Sequence, residues 1–285
     1  MRTLLICHDD AALDREGLAR WLGSFSTFTG TVVIREPGGR LKKRIKREIT
    51  RVGLWRFLDV LAFRLYYSMV HAAGDRVWEQ RELARLRSWY PERPEAADIV
   101  VSSPNSPEAE AFIREQQPDL VLARCKTLLK EQIFTIPRLG TFVMHPGICP
   151  EYRNAHGCFW ARATGDHDNV GMTLLRIDKG VDTGPVYGYF RIQADAAESH
   201  VITQHRVVLE HLDAVRDKLL EIEAGTAERL ETSGRHSATW GQPWMSAYLR
   251  MRRAGGPERA APRAPGAPQP SQELVGRAFQ ARQTR

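Results

Sequence analysis

The sequence predicts an α/β protein of doubly wound type, with a mostly parallel sheet, flanking helices and a helical insertion. Three observations carry that prediction. The chain opens strand–helix–strand, which is the start of a right-handed crossover unit. Apolar runs such as Leu120–Ala123 are unbroken rather than alternating, the pattern of strands buried on both faces. A basic and then apolar helical stretch from Arg40 to Trp89 interrupts the alternation between the second and third strands. Together these describe a Rossmann-like sheet with a helical insert.

In chain order, Thr3–Cys7 reads as the first strand, and its apolar run is too short for a signal peptide. Asp9 or Asp10 is placed to cap a helix from Ala11 to about Leu22, on which Leu13, Leu18 and Leu22 share a face. Thr31–Arg35 gives the second strand. The turn after the first strand is His8-Asp9-Asp10 rather than glycine-rich, and two carboxylates repel phosphate, so a phosphate is not expected there unless His8 offsets them. Gly38 and Gly39 open the basic run Arg40–Arg51, and helical periodicity continues through Trp55, Leu58, Leu61, Leu65 and Met69 to a further helix at about Arg76–Trp89. The basic face reads as a contact to an anionic substrate, RNA or a membrane surface, or as a solvated face whose aromatic side packs on the sheet. Core-like spacing favours the second.

Ala97–Ser102 is the next strand, followed by a helix Glu108–Gln117 with Pro107 in its first turn. Leu120–Ala123, Leu139–Met144, Val170–Ile177 and Val186–Ile192 read as strands, the last antiparallel to its predecessor, and Glu131–Phe134 as a short helix ended by Pro137. Ser199 to Glu223 reads as one long amphipathic helix closed by Gly225. Trp240 and Trp244 fit core packing better than a stacking platform. The expected organisation is a catalytic-type domain over 1–225 with the insertion at about 39–92, a short extension over 226–254, and a Pro/Ala/Arg-rich tail over 255–285 of disordered composition.

The net charge of +7 is concentrated at Arg40–Arg51 and in the tail, so it says little about the core. No apolar stretch approaches bilayer-spanning length, because Leu54–Val70 is interrupted by Arg56, Asp59 and Arg64, and a cytoplasmic location is expected. Cys7, Cys125, Cys149 and Cys158 form no CxxC pair and fit reduced thiols. His145, Cys149, His156 and Cys158 can be written as a zinc tetrad, but the spacing is unlike paired zinc knuckles and no metal is expected.

The densest chemistry lies between Thr141 and Gly184. An apolar strand delivers His145 to its tip, where Pro146 and Gly147 stop the ladder. A second strand leads into Asp178-Lys179-Gly180-Val181-Asp182-Thr183-Gly184, which presents carboxylates. If strand ends share one rim, His145 and a carboxylate meet there, and such a pair transfers protons near neutral pH. Spacing alone leaves open a surface histidine and a turn aspartate that never meet.

The pattern His145-Pro146-Gly147-Ile148-Cys149-Pro150, Tyr152-Arg153, Gly165, Gly171-Met172-Thr173 and Val181-Asp182-Thr183-Gly184 resembles the folate-dependent formyltransferases, as do Pro118–Ala123 and Pro137–Gly140. The match covers roughly the middle third of the chain. It implies a cytoplasmic enzyme that moves a formyl group from 10-formyltetrahydrofolate to the amine of a small-molecule acceptor. By the resemblance His145 and Asp182 are catalytic, His145 stabilising the oxyanion and Asp182 orienting it. Thr127, Leu128 and Leu129 line the folate pocket. Tyr152 and Arg153 shape the loop over the site, with Arg153 available to an anionic acceptor, and Asp178 is a second carboxylate candidate. One position departs: the family has Asn two residues before the histidine, and here it is Val143, which cannot donate to an oxyanion. Asn154 and His156 are the nearest replacements, although Asn154 equally suits a left-handed loop position. The resemblance to the methionyl-tRNA members would call for a C-terminal β-barrel that this sequence leaves no room for, so that acceptor is not expected. The rival expectations are the same fold with altered chemistry, such as formyl hydrolysis, and a binding module in which Arg40–Arg51 recruits nucleic acid or an acidic partner.

Overall fold

The structure, a computed structural model, describes residues 1–36, 48–92 and 94–254. The run Arg40–Arg47 and the tail 255–285 lie outside the described residues. β1 (Arg2–His8) leads into α1, a π-helical segment Leu13–Leu18 continued by Ala19–Gly23, and then β2 (Thr27–Ile34). Neither Asp9 nor Asp10 caps α1. Asp9 instead takes Arg15 at 3.0 Å and Arg35 at 2.8 Å, and two guanidinium partners outcompete a backbone cap. β2 also begins four residues before the predicted start, because Thr27–Gly30 continue the pairing along β1.

After β2 come α2 (Leu54–Val70) and α3 (Ala72–Trp89), then β3 (Ala97–Val101), α4 (Pro107–Gln116), β4 (Leu120–Arg124), α5 (Glu131–Phe134) and β5 (Gly140–His145). Ser106 caps α4 by accepting from the Ala109 N–H at 3.3 Å, with Pro107 at the position whose N–H needs no partner. A short β6 (Arg153–Asn154) and α6 (Gly157–Ala163) precede β7 (Gly171–Arg176) and β8 (Val186–Arg191).

The seven-stranded sheet has the order β3-β2-β1-β4-β5-β7-β8. Its first five strands are parallel; β7 runs antiparallel to β5, and β8 to β7. Alternate residues of β1 and β4 face opposite layers. Leu4, Ile6, Val121 and Ala123 pack on Ala109, Ile113 and Ile133, whereas Leu5, Cys7, Leu120 and Leu122 join the larger core with Leu18 and Trp21.

The predicted single C-terminal helix is two, α7 (His200–Leu209) and α8 (Leu212–Ala224). His211 causes the break. Its Nδ1 lies 2.8 Å from the Val207 carbonyl that its own N–H would take in a continuous helix, and that N–H turns to Val208 O at 3.2 Å. The extension 226–254 is tied to the main body through β9 (Thr239–Trp240), which pairs with β6, and α9 (Met245–Ala254), which packs against α2. Trp240 stacks on Trp160 at 4.8 Å and on Tyr152 at 5.9 Å, so it is a packing residue.

The insertion differs from its expectation. The aromatic side of α2 packs not on the sheet but on helices: Phe63 meets Phe159 at 5.5 Å, His200 at 5.0 Å and Tyr248 at 5.5 Å. Trp55, Leu58, Leu61, Leu65 and Met69, at core-like spacing, are exposed. Among the described residues no helix is long and apolar enough to cross a membrane.

Candidate active site

His145 ends β5, where Pro146 removes the next donor. Its side chain is 8 % exposed, with a neighbour at each ring nitrogen. Nε2 lies 2.9 Å from Tyr152 O. A carbonyl only accepts, so Nε2 carries a proton in this arrangement. Tyr152 is fixed in turn by its hydroxyl, which donates to Asp166 Oδ2 at 2.7 Å and contacts Thr164 Oγ1 at 3.1 Å. The loop closes over the ring because Gly147 and Gly157 touch: a Cβ on Gly157 would collide with the Gly147 backbone, and one on Gly147 with the Tyr152 carbonyl.

Asp182 arrives by a route the strand pattern does not suggest. Since β7 is antiparallel to β5, it ends with Arg176 beside Phe142, at the far end of β5 from His145. The ends of β5 and β7 therefore do not share a rim. The connection to β8 folds back along β5 instead. Ile177 N–H donates to Thr141 O at 2.7 Å, and Gly184 passes so close to the Arg176 carbonyl that no side chain fits. Asp178 Oδ1 accepts from the Gly180 N–H at 2.9 Å and from Thr183 Oγ1 at 2.8 Å, closing the turn. Asp182 then sits at a left-handed φ of 52°, with Oδ2 3.5 Å from His145 Nδ1 and 2.7 Å from the Asn154 N–H that donates to it.

Asn154 and Arg153 hold this turn. Asn154 has φ 78°, and its Nδ2 donates to Trp240 O at 2.5 Å. Arg153 donates to Val181 O and to Thr239 Oγ1, both at 3.1 Å. The side chains proposed from sequence to receive an oxyanion or an anionic acceptor therefore clamp the Asp182 turn to the C-terminal extension.

Beside Asp182 opens a cleft of about 570 Å³, solvent mouth included, with Ala123, Leu129, Val143 and Leu175 among its apolar lining, and Thr127, Leu128, Asp178 and Asp182 along it. Val143 pairs with Leu175 across β5 and β7 and packs beside Cys149 and Val186. Among the residues lining the cleft it is Asp182, not His145, that completes the pair. The imidazole stands behind the carboxylate, the reverse of the expected order.

Residues 82–214 match the family described as formyl transferase. Over that stretch, somewhat under half of its length, the chain is similar to the formyltransferases. Among curated relatives, the methionyl-tRNA formyltransferase of Thermotoga maritima is 28 % identical over 141 residues, 49 % of this chain and 45 % of that protein. The Dehalococcoides mccartyi methionyl-tRNA formyltransferase is 36 % identical over 93 residues, 31 % of this chain and 30 % of that protein. The chain thus matches less than half the length of either. Two solved structures share the fold. A sugar N-formyltransferase from Shewanella sp. superposes with TM-score 0.51 at 14 % identity, covering 85 % of this chain and 76 % of that one. A phosphoribosylglycinamide formyltransferase from Anaplasma phagocytophilum gives 0.51 at 12 % identity, covering 84 % and 96 %.

Sequence reasoning missed Asn105, the residue that shapes the cleft's outer loop. Its Nδ2 donates to Leu128 O at 2.9 Å and its Oδ1 accepts from the Lys130 N–H at 2.7 Å, spanning the 127–129 segment like a paired strand. The available signal was Ser-Pro-Asn directly after a strand, a turn whose amide is free to bond elsewhere. At the end of β1, His8 Nε2 accepts from the Lys126 N–H at 3.1 Å, and burial and then Lys126 lower its pKa. Beneath it Arg124 pairs with Asp14 at 3.1 Å and donates to Met144 O at 2.6 Å, so the β4 and β5 ends are tied together below the site. His156 sits at φ 57° against Gln204 at 3.2 Å, its pKa lowered to about 4 by burial and then by Lys126. Cys158 donates to Gly171 O at 3.2 Å, and burial pushes its thiol up to about 12. Among the described residues no three His, Cys, Asp or Glu side chains converge as a metal site.

Proposed function

We propose that this chain transfers a formyl group from 10-formyltetrahydrofolate to the amine of a small-molecule acceptor. The observation that carries the reading is Asp182 on the cleft wall with His145 Nδ1 3.5 Å behind it. The cleft suits the donor: its lining is largely apolar, and the Thr127–Leu129 backbone is braced by Asn105, so Thr127, Leu128, Leu129 and Val143 would hold the flat ring, with Asp178 at the rim. The bound donor supplies the formyl carbon.

The chain's own residues then manage one proton. As the acceptor nitrogen bonds to the formyl carbon it must lose a proton, and as the donor's nitrogen–formyl bond breaks that leaving nitrogen must gain one; Asp182, the cleft carboxylate set against His145, can accept the first and return it to the second. The Asn154 N–H fixes Oδ2. His145, with Nε2–H committed to Tyr152 O, turns Nδ1 toward the same oxygen. A proton reaching Asp182 can therefore pass to Nδ1, where both ring N–H groups meet acceptors. His145 acts through Asp182 as a positioning and proton-holding residue. Val143 contributes shape but no donor where charge grows on the formyl oxygen; attack by water passes through the same oxyanion as attack by an amine, so release of the formyl group to water is the second reading.

The test is a coupled set on the full chain. A non-reactive folate analogue should bind, and Asp182→Asn should keep that binding while product formation from 10-formyltetrahydrofolate and a panel of amino sugars, amino nucleotides and aminoacyl-tRNA falls roughly a thousandfold. Absence of analogue binding overturns the donor assignment, and tRNA as the sole acceptor overturns the small-molecule one. Val143→Asn should raise the transfer rate about a hundredfold, the usual worth of one oxyanion donor. Free formate as the main product of both forms would establish the hydrolytic reading.

A further inference from the structure

The outward face of α2 is an apolar stripe with nothing described upon it. Leu54, Trp55, Leu58, Leu61, Leu65 and Met69 recur at three- and four-residue spacing and are 44 to 84 % exposed, Trp55 the most. The stripe runs the length of a 17-residue helix, about 25 Å. Contiguous apolar surface on this scale marks a contact site.

The charges around it choose the partner. Asp59 is the sole acid of α2, and it is bound to Ser246 through both the main-chain N–H at 2.9 Å and the hydroxyl. Arg64 is exposed on the flank of the stripe, and Arg51, which precedes its start, is exposed and pairs with Glu48. By sequence, six of the eight residues from Arg40 to Arg47 are Arg or Lys, directly upstream. The chain's own tail is a poor cover, because residues 255–285 carry five Arg against two Glu and would bring like charge to a cationic face. A second copy is disfavoured for the same reason, since two like flanks would meet with no free acid between them. Nucleic acid would satisfy the cations but leave the leucines against a polar backbone.

We propose that α2 docks this protein on an anionic phospholipid surface. The helix lies in the interface plane, its leucines and Met69 enter the headgroup–acyl boundary, Trp55 sits at that boundary, and the flanking cations meet lipid phosphates.

The full chain is mixed with sucrose-loaded vesicles of phosphatidylcholine alone, or with about 30 % phosphatidylglycerol, and sedimented. Binding is expected to the anionic vesicles and to weaken as salt rises. Trp55→Ser combined with Leu65→Gln, both on the exposed face, should lower the partition coefficient roughly tenfold or more while leaving the circular dichroism spectrum and melting temperature unchanged. Arg51→Glu combined with Arg64→Glu should remove part of the anionic preference and of the salt dependence. The proposal is overturned by equal sedimentation with and without vesicles, by binding that the Trp55/Leu65 variant retains, or by light scattering that shows a dimer which this variant converts to monomer.

Discussion

The central sheet and the helical insertion are built from the same apolar residues and use them to opposite ends. In β1 and β4, Leu4, Leu5, Ile6, Leu120 and Leu122 are fully buried, because a central parallel strand has helices on both faces. In α2 a comparable run has one neighbour side only: Val60 and Phe63 are buried, while Leu61, one residue past Val60, and Leu65, two past Phe63, face outward. Apolar composition reports that a surface must be covered, and the number of neighbours decides whether it is. The seam between the two regions should therefore carry most of the insertion's stability. Phe63 fills it, touching Phe159, His200 and Tyr248. Phe63→Ala is expected to cost about 3–5 kcal/mol and, at roughly 2–3 °C per kcal/mol for a chain this size, to lower the melting temperature by about 10 °C. A loss below about 1 kcal/mol in thermal or urea unfolding would show that the insertion is not packed as described.

The same contrast explains what was legible in the sequence. Strands β4, β5 and β7 could be placed within a residue or two, because a doubly buried strand writes its burial as an unbroken apolar run. Val143, His145 and Asp182 could be named as candidates because each lies in a short contiguous motif. Their route to one another could not. Nothing in residues 177–185 states that β7 is antiparallel to β5, and the fold-back depends on Ile177 pairing with Thr141 and on Gly184 slipping past Arg176. The break at His211 was hidden for a related reason: a side chain replaces a backbone donor there without disturbing hydrophobic periodicity. The left-handed alternative for Asn154 is met at φ 78°, but the ties of Arg153 and Asn154 to Thr239 and Trp240 could not be read, because those partners lie more than eighty residues away.

Acid should attack the seam before it attacks the sheet. His156 and His200 lie 5.3 Å apart with Phe63, Tyr67 and Phe159 around His200, and burial lowers the pKa of both, that of His156 to about 4 from an ordinary 6.5. Below about pH 6.5 the unfolded chain binds a proton at His156 that the folded chain refuses, so stability falls as pH drops from 6.5 toward 4 and the loss is complete below that. A shift of that size corresponds to on the order of 3 kcal/mol from His156. His156→Gln preserves a polar partner for Gln204 and cannot titrate. Urea unfolding at pH 7.5 and pH 4.5 should show the variant losing less stability than the parent across that interval, and parallel losses in the two proteins would remove His156 as the acid-sensitive group.

The smallest expected effect is the sharpest test of the outward face. Leu65 stands two residues beyond Phe63 on the same helix and is 58 % exposed. Leu65→Ala deletes as much leucine as a core truncation that costs about 2–5 kcal/mol, yet alanine is also the better helix former, so the net change in water should stay within about 0.5 kcal/mol. The two substitutions therefore differ by several kcal/mol for similar chemistry, and urea midpoints measured side by side give that difference directly. A destabilisation by Leu65→Ala approaching that of Phe63→Ala would mean that something covers the outer face in solution, and its dependence on protein concentration would tell a second copy from a segment of the same chain.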